Sequence, residues 1–217
     1  MLHDSSDRHS DDRLGAALAK CPVVAILRGL EPERAIEVGE ALFDAGIRIM
    51  EVPANSPDPF GSIAQMAKHF ADRAVVGAGT ILTMDHVAKV KAAGGQVVVS
   101  PNMNADVIRA TKAMGMYALP GCFTATEAFA ALDAGADGLK LFPGEAFTPA
   151  MIKALRAVLP PQSRVLVVGG IGADNMSAFT EAGANGFGIG SWLFKPGRPT
   201  EEIAERARQV VAACQNT

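Results

Sequence analysis

The sequence predicts an α/β fold closed into a single-domain (β/α)8 TIM barrel, on three observations. Short runs rich in β-branched residues alternate with helical stretches, eight times over, at spacings of roughly 21–27 residues. Runs such as Val97-Val98-Val99 and Leu166-Val167-Val168 are apolar throughout, which suits a parallel sheet covered on both faces. No Gly-x-Gly-x-x-Gly dinucleotide fingerprint accompanies them, so closure is favoured over an open doubly wound sheet, the competing architecture.

Residues 1–12 are polar, offer little to bury and read as a loose tail, leaving residues 13–217 as the barrel domain. Strands are predicted at residues 23–28, 47–52, 74–78, 96–100, 117–119, 138–142, 164–168 and 186–189. Helical stretches end in Ala45-Gly46, Ala93-Gly94, Met114-Gly115, Ala134-Gly135 and Ala182-Gly183, where glycine fits the left-handed position that stops a helix. Helix starts are marked by Ser56-Pro57, Thr83, Asn104, Thr124, Thr148-Pro149 and Thr200. Each offers a capping oxygen, twice with Pro at the first helical position.

Composition narrows the function. The chain is 49% hydrophobic with a net charge of −3 and both signs interspersed, so it can bury one core and presents no basic stripe for nucleic acid. It has no signal-peptide core, no run long enough to span a bilayer and no basic amphipathic segment for a membrane surface, and the expected partner is a small molecule. Cys21, Cys122 and Cys214 are odd in number and far apart, which indicates neither a disulfide framework nor a zinc knuckle and fits a reducing cytoplasm.

In such a barrel the chemistry lies at the carboxyl ends of the strands. Lys140 interrupts the run Gly138-Leu139-Lys140-Leu141-Phe142-Pro143, where a charged amine is costly. If Lys140 points inward, alternation puts Gly138 and Phe142 on its face, with Val24, Ile26 and Arg28 inward on the first strand and Ile47, Ile49 and Glu51 on the second. Arg28, Glu51 and Lys140 then converge at one end of an aliphatic lumen. A Lys whose ammonium is disfavoured by burial and a nearby Arg can attack a ketone to form an iminium, with a carboxylate beside it to shuttle protons. The same residues also admit a buried Glu51–Lys140 ion pair that only fixes the core, a metal-free sugar-phosphate isomerase or epimerase with Glu51 as base, and a non-catalytic sugar-phosphate sensor. None of His3, His9, His69 and His86 falls at a strand end, and no second carboxylate joins Glu51, so no metal site is expected. Cys122, after the fifth strand, reads as a small buried hydrophobe.

Val168-Gly169-Gly170-Ile171-Gly172 closes the seventh strand and Gly188-Ile189-Gly190-Ser191 the eighth, where barrels commonly hold phosphate on backbone N–H groups. Val168, Gly169, Gly170, Gly190 and Ser191 are therefore phosphate-binding candidates. Gly77-Ala78-Gly79-Thr80, Pro101-Asn102 and the Asn55-Ser56-Pro57 loop offer groups suited to a substrate carboxylate or hydroxyls, although ordinary turn chemistry explains them equally well. Arg28, Thr80, Asn55, Pro101 and Phe142 are the substrate-binding candidates.

From about Val23 onward the chain resembles the 2-keto-3-deoxy-6-phosphogluconate and 6-phosphogalactonate aldolases. The residues that carry the resemblance are Ile26-Leu27-Arg28-Gly29, Glu51-Val52-Pro53, Gly77-Ala78-Gly79-Thr80, Pro120-Gly121-Cys122, Leu139-Lys140-Leu141-Phe142-Pro143, Val168-Gly169-Gly170 and Gly188-Ile189-Gly190-Ser191. The resemblance implies a class I aldolase with Lys140 as Schiff-base lysine, Glu51 as proton shuttle, Arg28 supporting the site and Thr80 near the pyruvate carboxylate. It also implies phosphate on Gly169, Gly170, Gly190 and Ser191, a homotrimer, and no cofactor. Asn55-Ser56-Pro57 and Val168 stand where gluconate enzymes usually carry an Arg and a Thr. Together with Pro101-Asn102 and Pro120-Gly121-Cys122 they resemble the galactonate branch, whereas Gly144-Glu145 is nearer to the gluconate branch. The expected substrate is thus 2-dehydro-3-deoxy-6-phosphogalactonate, with the gluconate epimer as alternative.

Overall fold

The computed structural model describes residues 12–215. One all-parallel sheet contains β1 (Val23–Ile26), β2 (Ile49–Pro53), β3 (Val75–Gly79), β4 (Val97–Val99), β5 (Tyr117–Leu119), β6 (Gly121–Cys122), β7 (Leu139–Leu141), β8 (Val165–Val168) and β9 (Gly186–Ile189), in the order β5-β4-β3-β2-β1-β9-β8-β7-β6. The two ends of this order, β5 and β6, are halves of one stave separated by Pro120, which has no N–H to give the ladder. Its first half pairs with β4 and its second with β7, so the sheet closes through a single run of chain. The fold is the expected barrel, with its fifth stave broken by proline.

Helices α1 (Arg13–Lys20), α2 (Ala35–Asp44), α3 (Pro59–Phe70), α4 (Met84–Ala92), α5 (Ala105–Ala113), α6 (Ala125–Asp133), α7 (Pro149–Arg156), α8 (Met176–Glu181) and α9 (Thr200–Gln215) accompany the strands. Gly46, Gly94, Gly115, Gly135 and Gly183 all take positive φ, as the stop signals require. Thr83, Asn104 and Thr148 accept hydrogen bonds from their own helices, and Thr124 forms a reciprocal capping box with Glu127.

Two expected starts are corrected. Helix α3 is capped by Asp58 with Pro59 in its first turn, while the Ser56 hydroxyl instead accepts from Gly29 N–H at 2.9 Å. Thr200 is itself the first residue of α9, and its hydroxyl ties Arg34 to Glu37.

The core has two layers. Between strands and helices lie Val23, Ala25, Met50, Val52, Leu139, Leu141, Val165 and Val167, among others. Inside the barrel Val24, Ile49, Val75, Val97, Val99, Leu119 and Leu166 pack together, with Leu14, Ala17 and Leu18 of α1 against them. Ile47 does not face the lumen as alternation suggested. It precedes β2, donates its N–H to Leu42 O in the helix-ending turn and packs in the outer layer. Asp12 belongs to the folded body, since one carboxylate oxygen caps α1 at Gly15 N–H and the other pairs with Arg164. The remainder of the expected tail, residues 1–11, lies outside the described residues, as do residues 216–217. Among the described residues no helix is long and apolar enough to cross a membrane.

Candidate active site

Lys140 is the central residue of β7, flanked by Leu139 and Leu141, whose side chains enter the helix-facing core. Alternation therefore turns Lys140 into the lumen, where its side chain lines the cavity at the carboxyl end and the residue is only 7% exposed. Its Nζ lies 4.6 Å from the centroid of the Phe142 ring, a contact with the ring face that suits a cation.

Glu51 reaches the same lumen from β2, in register with Ile26 on one side and Gly77 on the other. The inward positions of β3 around it are glycines. A Cβ on Gly79 would lie 2.1 Å from Glu51 Oε2, so the carboxyl group occupies the space a side chain there would fill. Glu51 is 2% exposed, and Oε2 is buried with no hydrogen-bond partner among the described residues.

Burial dominates the electrostatics of both groups. It pushes the Glu51 carboxyl up to about 7, against the pull of Lys140 and, less strongly, Arg28. It likewise lowers the Lys140 ammonium below its ordinary value, opposed by Glu51 and reinforced by Arg28. Beneath them Val24, Val99, Leu119 and Leu166 bound, with the pair itself, a void of about 10 Å3, so the floor of the site is aliphatic. An amine whose charge burial disfavours and an acid able to exchange protons near neutrality thereby face the same cavity, of about 890 Å3, from β7 and β2.

Arg28 follows β1 at the rim and donates to Asn55 Oδ1 and, at 3.4 Å, to Thr80 Oγ1. Thr80 has φ +58, a conformation a β-branched residue adopts only under constraint, and it leaves the ladder directly after Gly79. Pro101 and Phe142 complete this side of the cavity. Asn55 does not line it and acts instead as the partner that orients Arg28.

The opposite side is built by the loops after β8 and β9. Val168, Gly169, Gly170, Gly190 and Ser191 all line the cavity. Gly169 and Gly170 have φ +111 and +66, left-handed values open chiefly to glycine. The nearest heavy atom to a Cβ on Gly190 would be 3.8 Å away, so the space above this glycine is open to a ligand.

The structure brings together every predicted site residue except Asn55, which stands one contact back. Cys122 faces the outer layer, and burial pushes its thiol up to about 12, as suits a packing residue. Asp174, Asn175, Trp192 and Lys195 also line the cavity and were not read from the sequence, as does Glu145, which the sequence offers only as a mark of the gluconate branch, with no place in the site. They sit in irregular loops without alternation; Trp192, the single tryptophan, was the one compositional signal available. Among the described residues no group of three or more His, Cys, Asp or Glu side chains is placed to hold a metal ion.

Comparison with known proteins gives a consistent set of similarities. The family model for KDPG and KHG aldolases matches residues 14–209. The 2-dehydro-3-deoxy-6-phosphogalactonate aldolase of Escherichia coli (strain K12) is 44% identical over 194 residues, covering 89% of this chain and 95% of that protein. A probable 2-dehydro-3-deoxy-6-phosphogalactonate aldolase of Rhizobium meliloti (strain 1021) is 43% identical over 202 residues, 93% of this chain and 95% of that one. The solved native KDPGal structure superposes with a TM-score of 0.89 at 43% identity, covering 91% of this chain and 96% of the other.

Proposed function

The chain belongs to the KDPG and KHG aldolase family, and from that premise we propose that it cleaves 2-dehydro-3-deoxy-6-phosphogalactonate to pyruvate and D-glyceraldehyde 3-phosphate through a Schiff base on Lys140. The observation that carries the reading is the buried Lys140 amine sharing an aliphatic lumen end with the buried carboxyl group of Glu51. Two of the relatives bear this substrate in their names. A hydroxyl-free Val168 before the glycine pair and an Asn55 that engages Arg28 are in keeping with it.

In this mechanism the neutral Lys140 amine adds to the keto carbon, and loss of water leaves an iminium. Glu51, through one bridging water, takes the proton of the C4 hydroxyl as the C3–C4 bond breaks, and the bonding pair passes into the iminium to form an enamine. Glyceraldehyde 3-phosphate departs. Protonation of the enamine at C3 and hydrolysis of the resulting iminium release pyruvate and restore the amine. Arg28 and Thr80 hold the substrate carboxylate, with Pro101 and Phe142 bounding its pocket. The phosphate rests on Gly169, Gly170, Gly190 and Ser191 beside Val168, in the space over the glycine pair where the Glu145 side chain lies in this structure, so its binding requires that side chain to be displaced. Resemblance supports a homotrimer, the three thiols Cys21, Cys122 and Cys214 suit a reducing cytoplasm, and exposed Phe123 and Phe129 are apolar surface of the kind that self-association covers.

The test is borohydride reduction in the presence of pyruvate, followed by peptide mass spectrometry. A three-carbon adduct on Lys140 is expected, and an active enzyme without it sinks the Schiff-base reading. Turnover of the galactonate and gluconate epimers side by side then decides the substrate. Faster cleavage of the galactonate form is expected, and a preference for the gluconate form would reverse the assignment.

A further inference from the structure

We propose that Asn175 is a positioning residue that sets the shape of the phosphate loop after β8; the inference rests on the reading that this loop holds the substrate phosphate. Its side-chain amide spans the turn. Nδ2 donates to Gly170 O at 2.8 Å, and Oδ1 accepts from Gly172 N–H at 3.1 Å. The residues so bridged include Gly170 itself, which with Gly169 has left-handed backbone. Glycine has more conformational freedom to lose than any other residue, so a loop built on a glycine pair is fixed only where something outside the pair restrains it.

The direction of the side chain is informative. Asn175 immediately precedes α8, the place from which an Asn normally caps its helix, yet its side chain makes no capping hydrogen bond to α8. Asp12, Asp58, Thr83, Asn104, Thr124 and Thr148, in the equivalent place on six other helices, all accept from their own helices. Asn175 turns back over the loop, leaving its own helix without that bond. Gly172, the far end of the bridge, is also packed against the Trp192 ring, with room for no side chain, since a Cβ there would lie 2.6 Å from the indole. Trp192 directly follows Ser191, so the clamp at Gly172 also fixes the loop after β8 against the loop after β9. The carboxamide is suited to this task because it both donates and accepts; a hydroxyl is too short to span the turn.

Asn175→Ala and Asn175→Ser test the proposal. Serine is an effective helix cap, so it replaces Asn175 if the residue serves only α8 and fails if the residue shapes the loop. The expected result for both variants is a dissociation constant for inorganic phosphate, read by calorimetry, and a KM for the phosphorylated keto acid raised roughly ten-fold or more. We expect kcat to change by no more than about three-fold and pyruvate, which carries no phosphate, to be trapped on Lys140 at the wild-type rate. Wild-type phosphate affinity in a folded Asn175→Ser protein overturns the inference, as does an equal loss of pyruvate trapping. The two readings fail separately: a wild-type enzyme that binds phosphate but forms no pyruvate adduct loses the Schiff-base assignment alone. One that forms the adduct while both variants bind phosphate normally loses the Asn175 assignment alone.

Discussion

Glu51 and Lys140 bring opposite formal charges into one apolar lumen, and burial disfavours both charges more than their mutual attraction restores them. The consequence for stability has a definite sign. Folded Glu51 keeps its proton up to about pH 7, whereas the unfolded carboxyl loses it near its ordinary value of 4.5. Between those values the folded state binds the extra proton, so this contribution to stability is complete below 4.5 and is lost as pH rises through 7. The whole span is worth about 3 kcal/mol. Lys140, with its folded value lowered, acts oppositely: its contribution rises with pH up to its ordinary value of 10.5. Glu51→Gln should therefore gain melting temperature relative to the wild type progressively from pH 5 to 8, while kcat falls roughly 100-fold or more through loss of the proton shuttle. Thermal scans across pH, with kcat measured on the same preparations, check both halves. A stability difference that does not vary with pH contradicts the Glu51 titration.

At the level of elements, the catalytic face depends on what neighbouring strands leave out. Strand β3 is legible as a strand from its valines, but its Gly79 makes the space that the Glu51 carboxyl fills, while Gly77 lets the Val97 backbone of β4 approach. Gly79→Ala puts a methyl group 2.1 Å from Oε2, and the carboxyl group must shift. We expect kcat to fall about 100-fold, the cost of displacing a catalytic group by roughly 1 Å. Steady-state kinetics read this, and an unchanged kcat shows that the carboxyl position is not critical. Legibility follows the same division. Lys140, Glu51 and Arg28 could be read because a charge at a fixed parity in an apolar strand is conspicuous. The loop residues Glu145, Asn175 and Trp192 follow no period, and their roles come from contacts between loops distant in sequence. Pro120 breaks the fifth stave into two halves that pair on opposite sides, so the strand count survived while its continuity did not. Ser56-Pro57 and Asp58-Pro59 carry the same capping signal two residues apart, and only the contact between Ser56 and Gly29 separates them.

Across the whole molecule the barrel is divided along its axis. The carboxyl ends of the strands carry the charged pair and the cavity, while the body of the lumen is aliphatic and packs against α1, whose Leu14, Ala17 and Leu18 share one helical face. Stability and chemistry are therefore separable by position. Leu14 is fully buried among lumen side chains, and truncating it leaves a cavity that the closed staves cannot readily collapse to fill. Leu14→Ala should cost about 3 kcal/mol, lowering the melting temperature by roughly 6–12 °C for a domain of this size. Well below that melting point, kcat and KM should stay within about two-fold of wild type, because α1 packs on the aliphatic lumen cluster and lines no part of the cavity that holds Lys140, Glu51 and Arg28. A kcat that falls in step with stability would mean that the α1 plug tunes the register of the staves and hence the distance between Lys140 and Glu51, joining the two ends of the barrel into one cooperative device.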